Sequence, residues 1–105
     1  MRFTSFLDNG RLTVALTGEI DHHCAKHYIQ SICAKIEAYT PLECILDFQE
    51  VTFMDSSGIG LILGRNTMMK VLGGKLIIQN PPIQTVRILR LAQIPVEIVQ
   101  EVAIR

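Results

Sequence analysis

Between Phe53 and Gly60 the chain reads FMDSSGIG: two bulky apolar residues, an acid, two adjacent hydroxyls and two glycines. Nothing in that run is made to fill a core. A carboxylate beside two hydroxyls can cap a helix, hold an anion or present a serine to a kinase. Unpaired backbone N–H groups at a helix start favour a negative group by ~0.3–1 kcal/mol. Gly58 and Gly60 would let another molecule approach the backbone closely.

Four readings compete. In the plainest, Asp55 or a serine is a helix cap and the glycines ease packing. A nucleophile elbow needs glycine two residues before its serine, and Met54 and Asp55 precede Ser56 here. A dinucleotide loop fails on spacing, because after Gly58 and Gly60 the third glycine, Gly64, arrives one residue late and no acidic partner follows. The fourth reading is a phosphorylation switch. A phosphate adds about −1.5 to −2 charges beside Asp55. At ~6 Å and an effective dielectric near 20, that repulsion is a few kcal/mol before screening. Affinity for an acidic or phosphate-bearing partner would fall by orders of magnitude.

Other groups offer weaker chemistry. His23 and His27 stand at i, i+4, a spacing able to hold a metal on a helix, but the sequence fixes no third ligand. Glu19 and Asp21 could form a carboxylate pair, although a turn and a cap explain them more simply. Met68-Met69 reads as core before contact surface. Cys24, Cys33 and Cys44 are odd in number, with neither zinc nor redox spacing, and read as small apolar fillers.

The elements that must position the corner follow from periodicity. RFTSFL and RLTVAL alternate and are joined by DNG, a hairpin signal. Asp21 caps a helix over HHCAKHYIQSICAKIEAY, with Ala25, Ile29, Ile32 and Ile36 as its buried stripe. Thr40-Pro41 ends it. LECILDF is a buried strand, Val51 to Met54 a strand ending or turn, and Asp55 a break. A second helix runs from Ser57 to about Leu72, closed by Gly73-Gly74. KLIIQ is a strand and NPP a turn. IQTVRILRLA is a third helix with Arg87 and Arg90 outward, and VEIVQEV closes as a strand. This β-β-α-β-α-β-α-β order predicts an α/β fold, a mixed sheet with helices packed on it.

Composition narrows the function. At 105 residues, 49% hydrophobic and 19% charged, the chain reads as one globular domain over residues 1–105. Lys plus Arg equal Asp plus Glu, so no bulk field draws in nucleic acid or an anionic membrane. The start, MRFTSFLDNG, lacks the apolar region of a signal peptide, and no apolar run approaches the ~20 residues that span a bilayer. Reduced thiols and no leader point to the cytoplasm.

FMDSSGIGLILGRN and LTGEIDHH together resemble the anti-sigma factor antagonists of the STAS-domain family, and the second stretch resembles the sporulation type. The likeness runs from the first hairpin to the third helix. It implies a STAS-type mixed sheet of four to five strands with about three to four helices, in a protein that is not an enzyme. The implied role is to bind an anti-sigma factor that is also a serine kinase, with its bound nucleotide, and so release the sigma factor. Phosphorylation by that kinase ends binding, and a serine phosphatase restores it. The modified serine directly follows the aspartate of the motif, which here is Ser56. Asp55, Ser57 and Gly58 would shape the partner-binding corner, with Gly18, Glu19, Asp21 and His22 on the same contact face. The kinase supplies nucleotide and metal, so no cofactor and no metal site is implied for this chain. The alternative is a small-molecule or nucleotide-binding STAS module that uses the helix start at 55–60 as an anion site. Family members often continue into a further helix beyond the stretch matching VEIVQEVAIR.

Overall fold

The computed structural model describes residues 2–100. Strands β1 (Arg2–Asp8) and β2 (Arg11–Ile20) form an antiparallel hairpin in register Asp8↔Arg11. Asn9 and Gly10 between them have φ of 50° and 79°, the paired left-handed residues of a type I′ turn. Helix α1 (His22–Tyr39) leads to β3 (Glu43–Met54), α2 (Ser56–Val71) to β4 (Lys75–Gln79), and α3 (Ile83–Leu91) to β5 (Glu97–Val99).

The sheet order is β1-β2-β3-β4-β5, with β2 to β5 parallel. Three consecutive right-handed crossovers stepping in one direction stack all three helices on one face. The expected mixed sheet is therefore present, with five strands and three helices among the described residues. Toward the helices point Leu12, Val14 and Leu16 of β2, Cys44, Leu46 and Phe48 of β3, and Leu76 and Ile78 of β4, all buried. Each large side chain in that row stabilises the fold by ~1.5–3 kcal/mol. The opposite face carries a ladder of ion pairs: Arg11 to Glu43 at 2.9 Å, Glu43 to Lys75 at 3.4 Å, and Lys75 to Glu97 at 3.5 Å. Hydrogen bonding from Arg11, then from Lys75, holds the Glu43 carboxyl below the usual carboxylate range.

In the elements themselves the structure refines the sequence reading at several points. On α1 the innermost row is Ala25, Tyr28, Ile32 and Ile36, with Ile29 only half-buried. Tyr28 fits there because its hydroxyl donates to the Thr17 carbonyl at 2.6 Å and its ring meets Phe3 edge-on. Of the two readings of residues 51–54, a strand ending or a turn, the strand ending is the one present: they close β3, held by β2 alongside. Helix α2 begins at Ser56 rather than Ser57, because Asp55 itself is the cap. Of VEIVQEV, only Glu97–Val99 is strand, and its last two residues lie outside the described residues.

One asymmetry in the sheet bears on the site. β3 runs beside β2 as far as Ile20↔Met54, but β4 accompanies it only over Glu43–Asp47. The upper half of β3 therefore projects past β4.

Candidate functional site

The carboxyl ends of β2 and β3 deliver the two motif stretches to one place. Glu19 stands opposite Phe53 and Ile20 opposite Met54 in the parallel register. The Asp55 N–H donates to the Ile20 carbonyl at 3.2 Å, tying the second stretch to the first. Gly18 has φ of 88°, in the left-handed region, beside a register shift between Gly18 and Glu19. A side chain there would be strained by the backbone itself, opposite the point where β3 carries one extra residue, Thr52, against β2.

Both strands end in the same device. Asp21 is extended (φ −103°) and its Oδ1 accepts from the N–H groups of His23 (3.0 Å) and Cys24 (2.9 Å). Asp55 is also extended (φ −99°), and its Oδ1 accepts from the Ser57 N–H at 2.8 Å. Both are N-caps, each satisfying orphan donors of its helix. Chiefly through the Cys24 N–H, the Asp21 carboxyl is held below the ordinary carboxylate range.

Ser56 is the first residue of α2 and is exposed; Ser57 is half-buried. The glycines divide. Gly58 was expected on the contact face, but it is buried, and a β-carbon there would collide with Cγ and Sδ of Met54. It serves the corner from beneath, letting Met54 fold over the helix start. Gly60 is exposed, and a β-carbon would meet nothing within 4 Å. It opens a groove of about 600 Å³ between α1 and α2, lined by His22, Lys26, Ile29 and Gln30 on one wall and Ser57 on the other. Glu19 and His22 are exposed, and Asp21 is half-buried.

Sequence reasoning did not single out Lys26, Ile29 or Gln30 as groove residues. The signal was available: His22, Lys26 and Gln30 repeat at i, i+4, i+8 and so share one side of α1. It also passed over Phe53, which is 52% exposed on the other flank of the corner. There Val51–Met54 face Pro82, Gln84 and Thr85 across a cleft of about 360 Å³. A hollow of about 380 Å³ at the opposite end of the sheet is built from the hairpin turn with Leu42 and Glu43, and contains no hydroxyl or imidazole side chain.

Other candidates do not converge. Among the described residues no three His, Cys, Asp or Glu side chains group to hold a metal, and His23 packs edge-on against His22. Met69 is buried in the core with Met68 beside it. Cys44 is buried, and burial pushes its thiol up to about 12. Cys24 and Cys33 are half-exposed, so only Cys44 is a pure core filler. The strand order never reverses, so the sheet has no switch-point crevice of the kind that seats nucleotides in doubly wound folds. No described helix is long and apolar enough to cross a membrane.

A model of the STAS domain matches residues 7–103. The chain belongs to the STAS domain family. Among STAS relatives, an anti-sigma F factor antagonist from Lysinibacillus sphaericus is 37% identical over 70 residues. That match covers 67% of this chain and 60% of the relative's own length. SpoIIAA, an anti-sigma factor antagonist, superposes in its unphosphorylated form with a TM-score of 0.79 and 25% identity, over 97% of this chain and 90% of that one. In its phosphorylated form the Bacillus cell fate determinant SpoIIAA superposes with a TM-score of 0.81 and 25% identity, over 96% and 92%. This STAS chain therefore shares its fold with a protein known in two phosphorylation states, and resembles both equally well.

Proposed function

We propose that this chain, residues 1–105 forming one STAS domain, is a cytoplasmic anti-sigma factor antagonist switched at Ser56. Unphosphorylated, it binds an anti-sigma factor that is a serine kinase holding its nucleotide, and the sigma factor is released. The kinase then modifies Ser56: the hydroxyl oxygen bonds to the γ-phosphorus of ATP, the bond to the β-phosphate oxygen breaks, and ADP leaves. The hydroxyl proton passes to a base of the kinase. A serine phosphatase hydrolyses the ester and restores binding. The chain itself supplies no catalytic group; neither nucleic acid nor membrane takes part.

The observation that carries this reading is the placement of Ser56. It is exposed, first in α2, and directly follows a cap whose carboxylate is already engaged. Modification therefore need not disturb the cap, and the helix start tolerates the added charge. The likeness to SpoIIAA in both forms supports a switch that acts through charge on a constant fold. Next to Asp55 the phosphate makes the corner strongly anionic. Solvent screening leaves ~1–2 kcal/mol of the repulsion toward an acidic or nucleotide-bearing partner, roughly a tenfold loss or more.

In this reading Gly18, Glu19, Asp21 and His22 form the neighbouring part of the partner face. Asp55 and Ser57 shape the corner, and Gly58 supports it from below. The test is to incubate the protein with the anti-sigma kinase of the same organism, ATP and magnesium, and map phosphate by tandem mass spectrometry. One phosphate, lost in Ser56→Ala and retained in Ser57→Ala, is the expected result. Phosphate on Ser57 would move the switch by one residue. No phosphate, and no complex with ADP, would overturn the reading.

A further inference from the structure

We infer that the projecting half of β3, Gln49–Met54, accepts an extended segment of the anti-sigma partner as an added strand. The guest would lie in the cleft between β3 and the start of α3. This inference rests on the antagonist reading above and extends its contact surface beyond the serine corner.

Past Asp47↔Gln79, β3 has a strand neighbour on the β2 side only, among the described residues. At that point the chain turns off: Asn80 has φ of 53°, and its N–H donates to the Val99 carbonyl at 2.8 Å. Its side-chain amide donates to Gln49 Oε1 at 3.4 Å, pinning the turn where the projection begins. Across the cleft stands Pro82, the N-cap of α3, which has no N–H to offer and makes no side-chain capping bond. The far wall thus leaves the β3 edge without a backbone partner. Six residues of edge extend about 20 Å. The Gln49 N–H is already held by Asp47 Oδ1 at 3.1 Å. Two register shifts each place one extra β3 residue against β2, so the donors open to a guest lie from Glu50 onward.

That edge determines the chemistry of the guest. N–H and C=O groups alternating along a strand are matched by an extended main chain and by little else. Phe53 at the cleft is 52% exposed, offering apolar anchorage to a side chain of the guest. The edge leads without a break into Asp55 and Ser56, so a kinase seated on Ser56 already stands at its end.

Residue-resolved amide exchange, on the whole protein alone and with the anti-sigma kinase and ADP, tests this. In the free protein, the amides of 50–54 bonded to β2, together with Gln49 held by Asp47, exchange slowly and the remaining ones fast. In the complex the fast set is expected to slow by roughly tenfold or more. If the amides of Ser56 to Gly60 slow while the fast set is unchanged, the antagonist reading stands and the added strand is overturned. If neither region slows, both fall. Slowing that depends on the protein's own concentration without kinase assigns the edge to a second copy and overturns the inference. Phe53→Glu, at an exposed position, is expected to weaken the complex roughly tenfold; unchanged affinity also counts against the added strand.

Discussion

Two helices of this molecule begin in the same way, one strand apart, and only one of them has the makings of a switch. Ile20-Asp21-His22 and Met54-Asp55-Ser56 leave parallel neighbours β2 and β3, and each aspartate caps the helix after it. Aligned on the caps, Cys24 stands where the second corner has Gly58, and Lys26 where it has Gly60. At the first corner side chains fill the space around the helix start. At the second, one glycine makes room for Met54 and the other leaves an open groove. The cap is thus shared scaffolding. In the proposed switch the two corners differ in what rides on the cap: an exposed hydroxyl with space around it at Ser56, an imidazole beside another imidazole at His22.

The comparison can be broken most directly with charge. Ser56→Asp, with about half the charge of a phosphate, is expected to lower affinity for the anti-sigma kinase by roughly three- to tenfold, while His22→Asp, at the matching position, costs less than about twofold. Titration calorimetry with ADP present measures both, and equal losses would erase the distinction between the corners. Space is the next lever. Gly58→Ala must push Met54 aside and is expected to destabilise by ~1–3 kcal/mol in urea unfolding, whereas Cys24→Ala stays below ~1 kcal/mol.

The caps themselves separate less. Asp55→Ala should cost about 1 kcal/mol. Asp21→Ala should lower Tm further, since Asp21 serves two backbone donors and Asp55 one. Because the folded Asp21 carboxyl titrates below its unfolded value near ~3.9, its contribution is complete above that pH and disappears as pH falls through the lowered value. The Tm gap between the parent and Asp21→Asn should therefore narrow as pH falls below about 4. The smallest effect lies at the alkaline end. The Cys44 thiol is pushed up to about 12, so above pH ~8.5 the unfolded chain ionises first and stability declines toward pH 12; Cys44→Ala should flatten that decline.

Much of this was legible in residue types. Asn9-Gly10 announced the hairpin, Asp21 announced its cap while Asp55 shared that reading with the serines, and period 3.6 found α1. The illegible part is three-dimensional. Gly58 and Gly60 are two residues apart and chemically identical, yet one is buried and the other open; only the path of Met54 separates them. The extent of β3 was obscured because its upper half, Gln49 to Phe53, alternates polar residues with Val51 and an exposed Phe53, lacking the buried apolar run that Cys44 to Leu46 and Phe48 make. Tyr28 displaced Ile29 from the core because a hydroxyl found a carbonyl, Thr17, which lies eleven residues away in sequence.

The unreversed strand order has one more consequence, for how the molecule comes into being. Each strand from β2 to β5 pairs with the strand made just before it. A chain emerging from the ribosome never has to wait for a distant segment: the hairpin can close first, and every later strand adds to the edge its predecessor has exposed. Loop closures stay short, which favours rapid assembly in synthesis order. The corner with Ser56 is built midway, once β3 has joined β2, so the proposed partner surface can mature before β4 and β5 are in place.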